Sequence, residues 1–170
     1  MGDHNVTAAQ EPDALRRFTR QLLQDVRALE FLLQEGAFES GTRRIGAEQE
    51  LFLVDDHFNP APVVERVMER NTDPRVVTEL TKFNLEFNLD PAEFGGDALS
   101  RMEAQLVDTL GSVRQTVRAE GADVVMCGIL PTIHLSDLTL DNLTPMPRYY
   151  ALDEAIQRLR GGPGQIQIRG

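Results

Sequence analysis

FNLEFNLD, from Phe83 to Asp90, alternates without exception: Phe83, Leu85, Phe87 and Leu89 on one side, Asn84, Glu86, Asn88 and Asp90 on the other. Successive side chains of a strand point to opposite faces, so this period of two predicts a β-strand that lies on a core and turns a uniformly polar face outward. Upstream, IGAEQELFLVDD from Ile45 to Asp56 has the same period. It sets Ile45, Ala47, Leu51 and Leu53 on one face against Glu48, Glu50, Phe52 and Val54 on the other. The short apolar run from Asp123 to Ile129 reads as a third, buried strand.

Between and around these strands the period changes to that of helices. Leu15, Phe18, Leu22, Val26, Leu29 and Leu33 recur at intervals of three and four, which predicts a helix from Pro12 to a stop at Gly36. Leu99, Met102, Leu106, Leu110, Val113 and Val117 keep the same rhythm between an N-cap at Asp97 and Gly121. Shorter helices are expected over Val63–Glu69 and Arg148–Arg160. Residues 131–147, with three prolines (Pro131, Pro145 and Pro147) and spaced threonines, read as a long loop, and Gln165–Arg169 (QIQIR) as one more alternating strand. The order is that of an α+β or mixed α/β domain: residues 1–11 form a mobile arm, and residues 12–170 one domain.

Length and charge narrow the function classes. A chain of 170 residues is long enough to bury a core without disulfides or a structural metal. With 17 Lys+Arg against 27 Asp+Glu, the formal net charge is -10. Phosphate binding through counterion release needs clustered cations, so a nucleic-acid or anionic-membrane partner is not expected. A surplus of carboxylates serves solubility and also suits cations. The single cysteine, Cys127, cannot form an intramolecular bridge and sits in the apolar run, which fits a core position in a reducing, cytoplasmic compartment. No targeting segment or membrane-spanning stretch is expected.

The sharpest chemical feature is Glu48-x-Glu50 in an otherwise apolar strand. Residues two apart on a strand lie about 6.7 Å apart on the same side. At an effective dielectric of about 20, two carboxylates at that distance repel by roughly 2.5 kcal/mol. Water on an exposed strand face, a basic partner, or a divalent cation such as Mg²⁺ or Mn²⁺ would each answer that charge. Glu86 centres the polar face of the second strand, with Glu79 seven residues upstream; this face looks into water or into a polar cleft. His4, His57 and His134 are single and far apart, so no transition-metal cluster is expected, and no P-loop is present. Arg148, in Pro147-Arg148-Tyr149-Tyr150, is placed either to grip a carboxylate or phosphate bidentately or to pair with Asp153 or Glu154 at a helix start.

In order along the chain, IGAEQELFLVD, ELTKFNLEFNLDP, GADVVMCGILP and TPMPRYYAL resemble the N-terminal half of the glutamate-cysteine ligase family, carboxylate-amine ligases on a glutamine-synthetase-like fold. The resemblance spans about residues 40–170. It implies an antiparallel or mixed sheet flanked by helices, as an incomplete barrel, in a chain that forms the N-terminal portion of the catalytic domain. By position, Gly46, Glu48 and Glu50 match the family's Gly-x-Glu-x-Glu strand, and Glu79 and Glu86 its second acidic segment. Gly128 and Pro131, then Arg148 and Tyr149, stand where the family has a Gly-x-x-Pro stretch and an Arg-Tyr pair.

The implied chemistry is ATP-dependent, ADP-forming amide synthesis, in which a glutamate γ-carboxylate is phosphorylated and an amine such as cysteine displaces the phosphate. Glu48, Glu50, Glu79 and Glu86 would hold Mg²⁺ (or Mn²⁺), and Arg148 would hold a substrate carboxylate or a phosphoryl group. The implied partners are therefore small molecules: ATP, glutamate and an amine. A second expectation is a non-catalytic acidic interaction or regulatory module on the ligase scaffold, or one that assembles with a second chain to complete the barrel; the unfinished strand at Gln165–Arg169 also suggests a homo-oligomer.

Overall fold

The computed structural model describes residues 12–161, which divide into two units. The arm at 1–11 and the expected strand at 165–169 lie outside the described residues. The larger unit, Arg43–Pro145, holds both sheets. Its elements are β1 (Arg44–Ile45), β2 (Glu48–Val54), α2 (Val64–Arg70), β3 (Val76–Thr78), β4 (Asn84–Asn88), β5 (Ala92–Glu93), α3 (Ala98–Ala119) and β6 (Asp123–Val125). The other unit holds α1 (Pro12–Gln34) and α4 (Pro147–Arg160). The class is α+β with antiparallel sheets, and no barrel closes among the described residues.

The main sheet runs β3-β4-β2-β6, every pairing antiparallel. The FNLEFNLD alternation reads out directly. Phe83, Leu85, Phe87 and Leu89 are all buried, whereas on the polar face Glu86 and Asn88 are half-buried and Asp90 exposed; Asn84 departs from the expected outward face and is buried, where β2 turns apolar beside it. In β2 the alternation holds only at the start. From Leu51 to Val54 every side chain is buried, so both faces of β2 are covered where β6 pairs with it. Val64, Val67, Val113 and Val117 bring α2 and α3 into the same core as Leu51, Leu53, Leu85 and Phe87.

Several expectations need correction. The strand expected over Asp123–Ile129 ends at Val125, and beyond it Met126 and Ile129 are exposed. The Ile45–Asp56 stretch is interrupted at Gly46 and Ala47, where β1 leaves to pair with β5 in a two-stranded ribbon. Asp97 stands at the N-cap of α3 but does not cap it with its side chain; its carboxylate instead accepts from Arg101. Leu99 is exposed, and Thr109 takes a buried place on that helix. The 131–147 loop contains two 3-10 turns, Leu135–Asp137 and Leu140–Asn142. It is strapped to the β3–β4 connection: Lys82 and Thr144 donate backbone N–H groups to the carbonyls of Asn142 and Leu80, and the Thr144 hydroxyl donates to the Glu79 carbonyl.

Ion pairs tie the helices of this unit together. Glu120, at the C-terminal end of α3, accepts from Arg66 at 2.9 Å and Arg70 at 2.5 Å, one turn apart on α2. Asp123 is held in the same way by Arg118 and Arg114. Hydrogen bonds from Arg66 and then Arg70 hold the Glu120 carboxyl below the usual carboxylate range, and Arg118 does the same for Asp123. With native pKa values below unfolded ones, the unfolded chain binds more protons in that window, so stability rises with pH there. The contribution is complete above about pH 4–5 and fades as pH falls through the native values. Glu120→Gln is therefore expected to lower the melting temperature at pH 7, with the gap to wild type narrowing towards pH 3. Thermal melts across that range read it, and a gap independent of pH would contradict the assignment.

Candidate functional site: the acidic face of β2 and β4

The register of the β2–β4 pair builds the site. Glu50 lies directly opposite Glu86, and Glu48 opposite Asn88. Directly opposed residues of an antiparallel pair share a face, with Cβ atoms about 4.5–5.5 Å apart. Glu48 and Glu50 share it too, being two apart on one strand. Three carboxylates thus occupy one corner of one sheet face. One step further along β2 the same face turns apolar at Phe52, which is buried opposite Asn84.

Glu48 and Glu50 are exposed and form no ion pair among the described residues. Glu86 is half-buried and accepts a hydrogen bond from the Asn88 amide at 2.9 Å. Glu79 stands one residue past the end of β3, where the chain leaves the ladder, and its carboxylate accepts from the backbone N–H of Leu80 at 2.9 Å. The structure therefore places Glu48, Glu50 and Glu86 on one sheet face, and turns Glu79 back onto its own chain.

A cleft of about 490 Å³ opens at this corner, lined by Glu48, Gln49, Glu50, Met126, Cys127 and Gly128. Sequence reasoning placed Cys127 in a buried strand. Because β6 stops at Val125, the free thiol is only partly buried and shares the cleft with the carboxylates. The signal available in the sequence was Gly128, which ends an apolar run only five residues after Asp123.

The donor chemistry suits a hard divalent cation, since the corner offers carboxylate oxygens and no imidazole. As the side chains stand, no group of three or more His, Cys, Asp or Glu side chains among the described residues is gathered to hold a metal ion. Glu86 is engaged with Asn88, and Glu79 with Leu80. Arg148 belongs to the other unit. It stands in the first turn of α4 behind Pro147, with its guanidinium 4.9 Å from the centroid of the Tyr149 ring. No helix among the described residues is long and apolar enough to cross a membrane.

No curated protein and no solved structure matches the chain. A family model does, that of glutamate-cysteine ligase family 2, over residues 44–168. That match runs from the first residue of β1 through both sheets, the acidic corner and α4, and leaves out α1. The chain, with its acidic β2–β4 corner, belongs to glutamate-cysteine ligase family 2, a family of carboxylate-amine ligases.

Proposed function

We propose that this chain serves ATP- and Mg²⁺-dependent amide formation between the γ-carboxylate of glutamate and an amine such as cysteine, and that the β2–β4 corner is its cation-binding face. The observation that carries the reading is the alignment of Glu48, Glu50 and Glu86 on one face, two of them exposed and without a basic partner among the described residues. Like charges at this spacing are held together at a cost unless water or a cation answers them. Mg²⁺ supplies charge neutralisation for the nucleotide's phosphate oxygens, the main requirement of phosphoryl transfer.

In this reading Glu48, Glu50 and Glu86 hold the cation, and Glu79 joins them by releasing the Leu80 N–H. Asn88 orients Glu86 through its amide, so that the carboxylate keeps one oxygen engaged with the strand. The adjoining cleft, with Gln49 and Cys127 in its wall, gives the nucleotide or amino acid a place beside the cation. Arg148 holds a substrate carboxylate or phosphoryl group, as a guanidinium does bidentately. A reducing cytoplasm would keep Cys127 a thiol.

Calorimetric titration of Mn²⁺ with ATP, or of Mg²⁺ with ATP, tests the reading. Wild type should bind, and Glu48→Gln and Glu86→Gln should each weaken binding on the order of tenfold or more. Binding left unchanged by both substitutions would remove the cation assignment. ADP release that depends on glutamate and an amine would separate the ligase from a non-catalytic module on the same scaffold.

A further inference from the structure

Helix α1 lies outside the family match, and its apolar side chains face solvent. Leu15, Phe18, Leu22, Val26, Leu29 and Leu33 are each 45% to 63% exposed. Their spacing repeats after eleven residues: Leu15 and Val26, Phe18 and Leu29, Leu22 and Leu33. Eleven residues over three turns is about 3.67 per turn, so the stripe runs nearly straight down the helix for about 27 Å from Leu15 to Leu33.

The charges beside this stripe are arranged against the helix that carries them. From Pro12 to Leu23, Arg16, Arg17 and Arg20 outweigh Asp13; from Gln24 to Glu35, Asp25, Glu30 and Glu35 outweigh Arg27. A helix dipole rewards the opposite layout, anions at the N-terminus and cations at the C-terminus. The asymmetry therefore does not stabilise α1 by itself. A second α1 running the other way sets each basic half beside an acidic half.

We propose that α1 is a homodimerisation element: two copies of this chain pair their α1 helices antiparallel, apolar stripe to apolar stripe. With the helices crossing near Gln24, Leu15 meets Leu33 and Leu22 meets Val26, and the Arg16–Arg20 stretch of each copy comes beside the Asp25–Glu30 stretch of the other. Parallel pairing would set arginines against arginines. Two helices of this length bury on the order of 1,200 Å² in total, the lower end of stable interfaces, so the dimer is expected to dissociate in the micromolar range.

Sedimentation equilibrium on the 170-residue chain, from about 1 to 100 μM, reads the proposal directly. Wild type should shift from monomer to dimer across that range. Arg16→Glu/Arg17→Glu/Arg20→Glu should raise the dissociation constant on the order of tenfold or more, and so should Asp25→Arg/Glu30→Arg/Glu35→Arg. An equimolar mixture of the two variants should dimerise again, because each basic half then meets an acidic one. Circular dichroism of both variants, unchanged in helix content, separates lost pairing from lost folding. A wild-type monomer at 100 μM, or a dimer indifferent to both charge reversals, would overturn the proposal.

Discussion

Glu50→Gln is expected to change cation binding and stability in opposite directions. Glu50 lies between two other carboxylates, about 6.7 Å from Glu48 along the strand and about 5 Å from Glu86 across it. Losing its charge should weaken Mn²⁺ binding by roughly 2–3 kcal/mol, some 30- to 150-fold, since it is central among the three. In metal-free protein the same change removes two repulsions. Those repulsions reach solvent and are screened, so the gain is on the order of 0.5–1 kcal/mol, or roughly 1–4 °C in melting temperature. A Glu50 with no role in binding would leave the Mn²⁺ affinity unchanged while still giving the small gain in metal-free stability. Melts with and without Mn²⁺, beside a binding titration, read both signs from one variant.

The largest loss of stability is expected from Phe87→Ala. Phe87 is 0% exposed, sits on β4 between β2 and β3, and packs into the core with Leu51, Leu85 and Val76. Truncating a fully buried phenylalanine loses its transfer free energy and leaves a cavity, together about 3–5 kcal/mol. Domains are stable by only about 5–15 kcal/mol, so the variant should be largely unfolded near body temperature or melt well below wild type. Leu99→Ala gives the contrast: at 59% exposure it should fall within about 0.5 kcal/mol of wild type. Chemical denaturation of the three proteins checks the ranking, and comparable losses in both variants would contradict the assigned core.

The strands that set the site were legible because alternation survives wherever one face of a strand is buried and the other is not. FNLEFNLD meets that condition from Leu85 onward, and its four apolar residues are all buried, whereas Asn84 at its start is buried as well. Asp123–Ile129 does not meet it. A continuous apolar run carries no period that marks its end, so beyond the breaker at Gly128 nothing in the residue types set the stop at Val125, and with it the placement of Cys127 in the cleft wall.

The common face of Glu48 and Glu50 followed from their spacing. That Glu50 stands opposite Glu86 did not, because register between strands is set by pairing across the sheet. Glu79 shows the converse. Its type and its distance from Glu86 along the chain matched the family pattern, yet β3 ends one residue before it, and its carboxylate turns to Leu80. On α1 the apolar period predicted the helix correctly but carried no statement of what covers it, since the same stripe serves a core or a partner.

Paramagnetic broadening locates directly the divalent cation assigned to the β2–β4 corner. Mn²⁺ added at well below one equivalent to ¹⁵N-labelled protein should first erase the amide signals of Glu48, Gln49 and Glu50 on β2 and of Glu86, Phe87 and Asn88 on β4, with Cys127 and Gly128 close behind. Signals of those residues that persist while amides around Asp137 and Asp141, in the 131–147 loop, disappear would place the cation elsewhere and rule out the β2–β4 corner as its site.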